Sequence, residues 1–266
     1  IVGIRRRGYT PESIRLFCER IGVSKADSWI DMSVLEQALR DDLDAHAPRA
    51  SAVLAPLKLV IENFDERAKE PCSAPKHPHH PEWGKREFHF GRELWIEADD
   101  FQMSPEKGFF RLFPPKDGAA GGRVRLRHGF VIECTGVNLD DQGNVVEVRA
   151  RYFPDSKSGT PDSNNYKVKG NIHWINAAEA VPVEVRLYEH LFTDPQPDSG
   201  DKNFLSFMNP NSKKVIRAYV EPSIQNAQPE ERFQFERHGY FVVDRKDSAP
   251  GKLVFNRSVG LKDNWK

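Results

Sequence analysis

Two short stretches of this 266-residue chain combine side chains able to read a flat polar edge. In Val124–Arg127 (VRLR), Arg125 and Arg127 stand two apart on a predicted strand, so both project from one face. Two guanidiniums held that way contact phosphate, or make forked hydrogen bonds to the edge of a base. An exposed strand face with cross-strand ion pairs would carry the same pattern. In Gln234–Tyr240 (QFERHGY), Gln234 and Glu236 share a strand face, with Phe235 on the other, and Arg237 follows. A Gln and a Glu together offer a donor and an acceptor. That pair suits a single unstacked base better than a phosphate, which a carboxylate repels. Arg49, within Ala47–Ala50 (APRA), reads by itself as a structural ion pair near a helix end.

No constellation in the chain does bond-making chemistry. There is no GxSxG, no HExxH and no phosphate-cradling glycine loop. Gly121-Gly122 precedes a strand and not a helix, so it lacks the context for dinucleotide binding. Cys72, His77, His79 and His80 crowd together, but a structural zinc takes four tetrahedral ligands, usually paired from two places, and no second pair follows. The expectation is no catalytic residue and no metal.

Composition bounds the class. The 39 basic and 39 acidic residues cancel, so distribution matters more than the total. Glu19–Asp44 holds seven acidic residues against three basic ones. Pro105–Arg127 holds six basic (Lys107, Arg111, Lys116, Arg123, Arg125, Arg127) against two acidic. That stretch is a candidate electrostatic footprint for phosphate, or a solvated loop and strand face. Three scattered cysteines give no disulfide framework and fit a reducing cytosol; Cys18, in an apolar helical stretch, is expected in the core. No apolar run reaches the roughly 18 residues of a membrane span. A start at Ile1, with no Met and no leader, is read as a fragment without a signal peptide.

The elements that must position these residues follow from periodicity. The first 45 or so residues read as helical. Thr10-Pro11 is an N-cap and first helical position, Ile14, Phe17 and Ile21 share a face, and Gly22 ends the helix. Ser33-x-x-Glu36 has capping-box spacing for a second helix, carrying Leu35, Leu39 and Leu43 until Pro48 stops it. Val53–Ile61 reads as a strand and Pro71–Pro81 as a loop. Val124–Ile132, Val145–Tyr152, Ile172–Ile175, Val183–Tyr188, Val215–Val220 and Tyr240–Val243 read as strands, and Gln142-Gly143-Asn144 as a hairpin turn. Asp155–Asn165 and Thr193–Asn203 are polar loops. Pattern alone gives a helical N-terminal piece and an all-β region of about 220 residues, too long for one small barrel.

Taken together, RRRGYTPESIRLFCERIGVSK, APRA, VRLR, KVKGNIHWINAAEAVPVEVRLYEHLF (Lys167–Phe192), QFERHGY and VFNRSVGLKDNW (Val254–Trp265) resemble, in order, the C-terminal half of bacterial-type glutaminyl-tRNA synthetases. The resemblance covers essentially the whole chain. The HIGH and KMSKS signatures of the ATP-binding catalytic half are absent from it. What the resemblance implies is a mainly β fold with an α-helical N-terminal subdomain (1–46) and two β-barrels, a proximal one from 47–104 plus 194–266 and a distal one, inserted in it, from 105–193. It implies an anticodon-binding role, with Arg49, Gln234, Glu236 and Arg237 around the middle anticodon letter, Arg125 and Arg127 at the first and Arg111 at the third. Phe110 stands where the family pattern has a basic residue. The resemblance sets Lys25, in GVSK, against the inner corner of the tRNA, although its neighbours Ser24 and Ala26 differ from the pattern. Arg5–Arg7 could face tRNA backbone or a catalytic domain. The implied partners are glutamine tRNA and the catalytic domain of the same polypeptide, the implied state a cytoplasmic monomer. The fragment itself needs no cofactor; the parent ligase, a class I synthetase, uses ATP and Mg. The alternatives are a fragment of an archaeal or eukaryotic-type glutamyl-tRNA synthetase, a stand-alone RNA-binding barrel, or a β-barrel interaction or carbohydrate-binding protein.

Overall fold

The computed structural model describes residues 1–25 and 27–262. Ala26, the last three residues of the VFNRSVGLKDNW stretch (263–265) and Lys266 lie outside the described residues. Among the described residues the fold is mainly β and about 20% helical, with three α-helices, several short 3-10 turns and two barrel-like sheets, one nearly closed and one a half-barrel. The chain forms two compact units: 1–48, 183–217 and 227–266 make the first, 49–182 and 218–226 the second.

The first unit opens with α1 (Val2–Arg6), α2 (Pro11–Ile21) and α3 (Met32–His46). Thr10 caps α2 reciprocally with Ser13: the Ser13 amide donates to Thr10 Oγ1 at 3.0 Å and the Thr10 amide to Ser13 Oγ at 3.2 Å. The Thr10 hydroxyl also donates to Asp42 Oδ2 at 2.6 Å, fastening the start of α2 to α3. The cap of α3 is Asp31, not Ser33: the Ser33 amide donates to Asp31 Oδ1 at 2.8 Å. A carboxylate one position before the first helical residue satisfies an orphan N–H, and its negative charge suits the helix N-terminus. Leu39 and Leu43 are buried, packed with Tyr9, Ala47, Tyr240 and Val259. Cys18, by contrast, is exposed. On α2 only Ser13 is buried, so its apolar face is left largely in the open.

The second unit contains β1 (Arg49–Ala50), β2 (Ala52–Val53), β3 (Pro56–Ile61), β4 (Glu70–Pro75), β5 (Lys85–Phe90), β6 (Glu93–Glu97), β7 (Arg123–Leu126), β8 (Val131–Leu139), β9 (Val145–Tyr152), β10 (Gly170–Ile172) and β11 (Ile175–Asn176). One sheet runs β10-β7-β8-β9-β3-β6-β11. It takes strands from both sides of residue 104, where the sequence expectation divides two barrels. Its core holds Leu59, Ile61, Phe90, Leu94, Ile96, Leu112, Leu126 and Ile132. The Pro71–Pro81 loop expectation is half wrong, because 70–75 is β4, antiparallel to β5 in a two-stranded ribbon. Prolines are tolerated in such a strand because it has an unpaired side that needs no N–H donor. Cys72 and Ala74 point inward while Pro71 and Pro75 stay exposed.

The remaining strands are β12 (Val181–Tyr188), β13 (Lys213–Val220), β14 (Arg232–Phe235), β15 (Gly239–Val243) and β16 (Val254–Gly260), in the order β14-β15-β16-β12-β13. Phe235 and Phe241 stack with centroids 4.4 Å apart, and Phe255 meets Phe235 edge-on at 5.1 Å. Such aromatic pairs add specific geometry to burial, and here they fix the hairpin that carries Gln234.

Candidate nucleic-acid interface

In the second unit, β7 alternates as its sequence requires: Val124 and Leu126 enter the core and Arg123 and Arg125 face out. The Arg125 guanidinium is half-buried and consumed by its own chain. Nη1 donates to Ser156 O at 2.6 Å and Ser158 Oγ at 3.3 Å, and Nη2 to Ser163 O at 3.0 Å and Tyr166 O at 3.4 Å. Burial lowers its pKa, as expected for a cation held among neutral acceptors. Arg125 thus clamps two short 3-10 turns, Pro154–Ser156 and Pro161–Asn165, over the sheet.

Arg127 does not share the strand face with Arg125. β7 ends at Leu126, and the chain turns tightly there: the Gly129 amide donates to Leu126 O at 2.8 Å, with His128 left-handed at φ 59°. Arg127 is pinned through its backbone, its amide donating to Ile172 O at 2.8 Å and its carbonyl accepting from Trp174 Nε1 at 3.0 Å. An unbroken reading of Val124–Ile132 missed the turn because Gly129 was its only local signal.

Arg111 donates to Asp100 Oδ1 at 2.9 Å and to Asp99 O at 3.1 Å. Arg123 pairs with Glu133, which also takes Arg151 at 2.7 Å, and both guanidiniums lie over the Phe153 ring, at 5.2 and 5.6 Å. Much of the basic stretch 105–127 is therefore matched by local acceptors, and its field is weaker than its composition suggests. Glu133 was not foreseen; only the register Arg123↔Glu133↔Arg151 across β7, β8 and β9 reveals it. Arg49 is buried on β1, its amide donating to Lys76 O at 2.6 Å.

In the first unit, Gln234 is on β14 and half-exposed, its Nε2 donating to the Tyr240 hydroxyl at 2.9 Å. Glu236 is not its strand neighbour. β14 stops at Phe235, and Glu236–His238 form a tight loop closed by the His238 amide on Phe235 O at 2.9 Å. Arg237 sits in the left-handed region at φ 73°, uncommon for a residue with a Cβ. The following Gly239, at φ 138°, pairs with Phe235 across the hairpin. Glu236 is buried in that loop. Alternation predicted otherwise because a three-residue loop breaks the period of two. Lys25 is exposed, just beyond α2.

The arginines at the chain start fold onto their own unit. Arg5 pairs with Glu230 at 2.9 Å, Arg6 with Asp244 at 2.8 Å and Asp247 at 2.7 Å, and Arg7 lies over the Tyr188 ring at 5.5 Å. The structure thus groups Arg111, Arg125, Arg127 and Arg49 in the second unit, and Gln234, Glu236, Arg237 and Lys25 in the first.

Residues 47–153 match a family described as tRNA synthetases class I (E and Q), anti-codon binding domain, and residues 171–244 match a second family of the same description. Over its whole length the chain is 74% identical to a glutamine–tRNA ligase of Polynucleobacter asymbioticus. It is 65% identical over 265 residues to one of Ralstonia nicotianae, and 58% identical over 265 residues to one of Bordetella pertussis. The chain spans less than half of these curated relatives, 45%, 45% and 44% of their lengths. The chain belongs to the anticodon-binding domains of the class I tRNA synthetases of the E and Q type.

Proposed function

We propose that this chain reads the anticodon loop of glutamine tRNA, within a polypeptide that ligates glutamine to that tRNA with ATP and Mg. The observation that carries the reading is the 74% identity to a glutamine–tRNA ligase along the entire chain. It favours the glutaminyl over the glutamyl branch and over a stand-alone barrel. The chemistry is recognition and not catalysis. Loop bases can unstack, and their edges are read by hydrogen bonds from groups held in place beforehand. Gln234 is held by Tyr240; Glu236 and Arg237 are set by the hairpin loop; Arg49 completes the reading of the middle letter. Arg127 and Arg111 serve the first and third letters. Arg125 acts through the 156–166 segment that it clamps, and Lys25 meets the inner corner of the tRNA. The parent works as a cytoplasmic monomer. Among the described residues, no helix is long and apolar enough to cross a membrane.

Binding of this chain to glutamine tRNA, beside the same tRNA with its middle anticodon base changed, tests the reading. Tighter binding to the native anticodon is expected, by roughly the 1–3 kcal/mol that one well-read base is worth. Arg49→Ala should abolish that difference. Affinity should also fall steeply with salt, since phosphate contacts release counterions. Equal binding to both tRNAs would sink the assignment.

A further inference from the structure

In the second unit, among the described residues, one Phe, Tyr or Trp ring is exposed: Phe110, at 51%. An exposed Phe alone means little, but the backbone on either side of this one is tied down. The next residue, Arg111, is tied to Asp100 at 2.9 Å and to Asp99 O at 3.1 Å. Leu112 is fully buried, and its amide donates to Asp100 O at 3.0 Å. On the other side, the Phe110 carbonyl packs directly on Gly170, the first residue of β10, where a Cβ would overlap that oxygen and sit 2.8 Å from Val124 Cγ1. Gly170 is required for this approach, which sets Phe110 beside the strand edge. The ammonium of Lys169 lies 4.4 Å from the Phe110 ring centroid, covering one face of the ring.

We propose that Phe110 is a stacking platform for an unpaired RNA base, with Lys169 on one ring face and the base on the other. The proposal rests on the reading of this chain as an RNA binder. A rigid, half-exposed ring costs little entropy to use, and any base offers it a π face. Lys169 polarises the covered face and lies near enough to reach the phosphate beside the stacked nucleotide. Arg111, fixed next to the ring, supplies a directional hydrogen-bonding group at the same place. Stacking on the ring is itself tolerant of base identity, so discrimination comes from the hydrogen-bonding groups, Arg111 here and the Gln234 hairpin at the middle letter.

The test measures affinity of the whole chain and of Phe110→Ala, Phe110→Leu and Phe110→Trp for an anticodon stem-loop hairpin of glutamine tRNA, and for the hairpin with its middle base changed. A loop nucleotide replaced by 2-aminopurine reports stacking by its fluorescence. We expect Phe110→Ala and Phe110→Leu each to weaken binding about tenfold on both hairpins, in the range of base–aromatic stacking, and Phe110→Trp to retain it. The 2-aminopurine signal should be quenched by the wild type and by Phe110→Trp only. Lys169→Gln should reduce the salt slope by about one unit, as loss of one phosphate contact does. Unchanged affinity in Phe110→Ala, while the wild type still prefers the native loop, overturns the platform and leaves the anticodon reading standing. A tenfold loss in Phe110→Ala, with no preference between hairpins in the wild type, supports the platform and overturns the anticodon reading. No binding to either hairpin overturns both. Because the ring is exposed, Phe110→Ala leaves the core intact, and an unchanged unfolding midpoint checks this.

Discussion

The Tyr240 hydroxyl donates to Asp44 Oδ1 at 3.0 Å while it accepts from Gln234 Nε2 at 2.9 Å. One oxygen therefore connects the end of α3 to Gln234 on β14. Asp44 and Gln234 are 190 positions apart, and neither suggests the other in sequence. Tyr240→Phe removes the link without changing the packed ring. It should cost about 1 kcal/mol of stability, the ordinary worth of one hydrogen bond. Discrimination at the middle anticodon base should fall more than total affinity does. Titration of native and base-changed tRNA with Tyr240→Phe checks this; unaltered discrimination would show that Gln234 needs no such support.

Arg125 should behave as a clamp. Arg125→Lys keeps the charge but loses the planar fork that reaches four oxygens. Amide hydrogen exchange across 156–166 should accelerate about tenfold or more, while exchange in β8 and β9 stays near wild type. If exchange in 156–166 is unchanged and only the salt dependence of RNA binding moves, Arg125 is a phosphate contact instead.

Asp244 sets an acid limit on the first unit. It is fully buried and accepts from Arg6, from Asn256 Nδ2 at 2.6 Å, and from the Lys246 and Asp247 amides at 2.9 and 2.8 Å. Burial alone would raise its pKa, but the Arg6 and Asn256 hydrogen bonds outweigh it and hold the carboxyl well below the usual carboxylate range. The unfolded chain takes up this proton near pH 4, the folded chain far lower, so the stabilisation is complete above pH 4 and is lost as pH falls toward the folded value. Urea unfolding of the wild type should show that decline, and Asp244→Asn should flatten it. Arg6→Ala should cost about 2 kcal/mol at neutral pH, since a buried carboxylate loses a charged donor. Parallel pH profiles for the wild type and Asp244→Asn would refute the assignment.

The three cysteines should separate by reactivity. Cys18 is exposed, whereas burial pushes the Cys72 and Cys134 thiols up to about 11. A thiolate-selective reagent at pH 8 should label Cys18 quickly and the other two only on unfolding. Fast labelling of Cys72 would mean that the β4–β5 ribbon opens in the native state.

The sequence by itself determined whatever is local in period or chemistry. Thr10-Pro11 placed the start of α2, Leu39 and Leu43 marked the inner face of α3, and Val145–Tyr152 alternated so regularly that β9 has those same bounds. The family-like motifs also lie in the sequence as contiguous strings, which is why the anticodon-binding character was legible without coordinates. Tertiary structure decided what depends on register and closure. Glu236 left the strand because a three-residue loop interrupts the alternation, and Arg127 left it because the chain turns after Leu126. Cys18 looked apolar enough for a core, but on α2 only Ser13 is buried and the cysteine meets solvent. Arg6 with Asp244, Arg125 with the carbonyls of 156–166, and Glu133 between two arginines are pairings across many tens of residues or between strands. A charge in sequence has no direction until the backbone supplies one, so only the folded chain shows which arginines are tied to their own protein and which can turn to a partner.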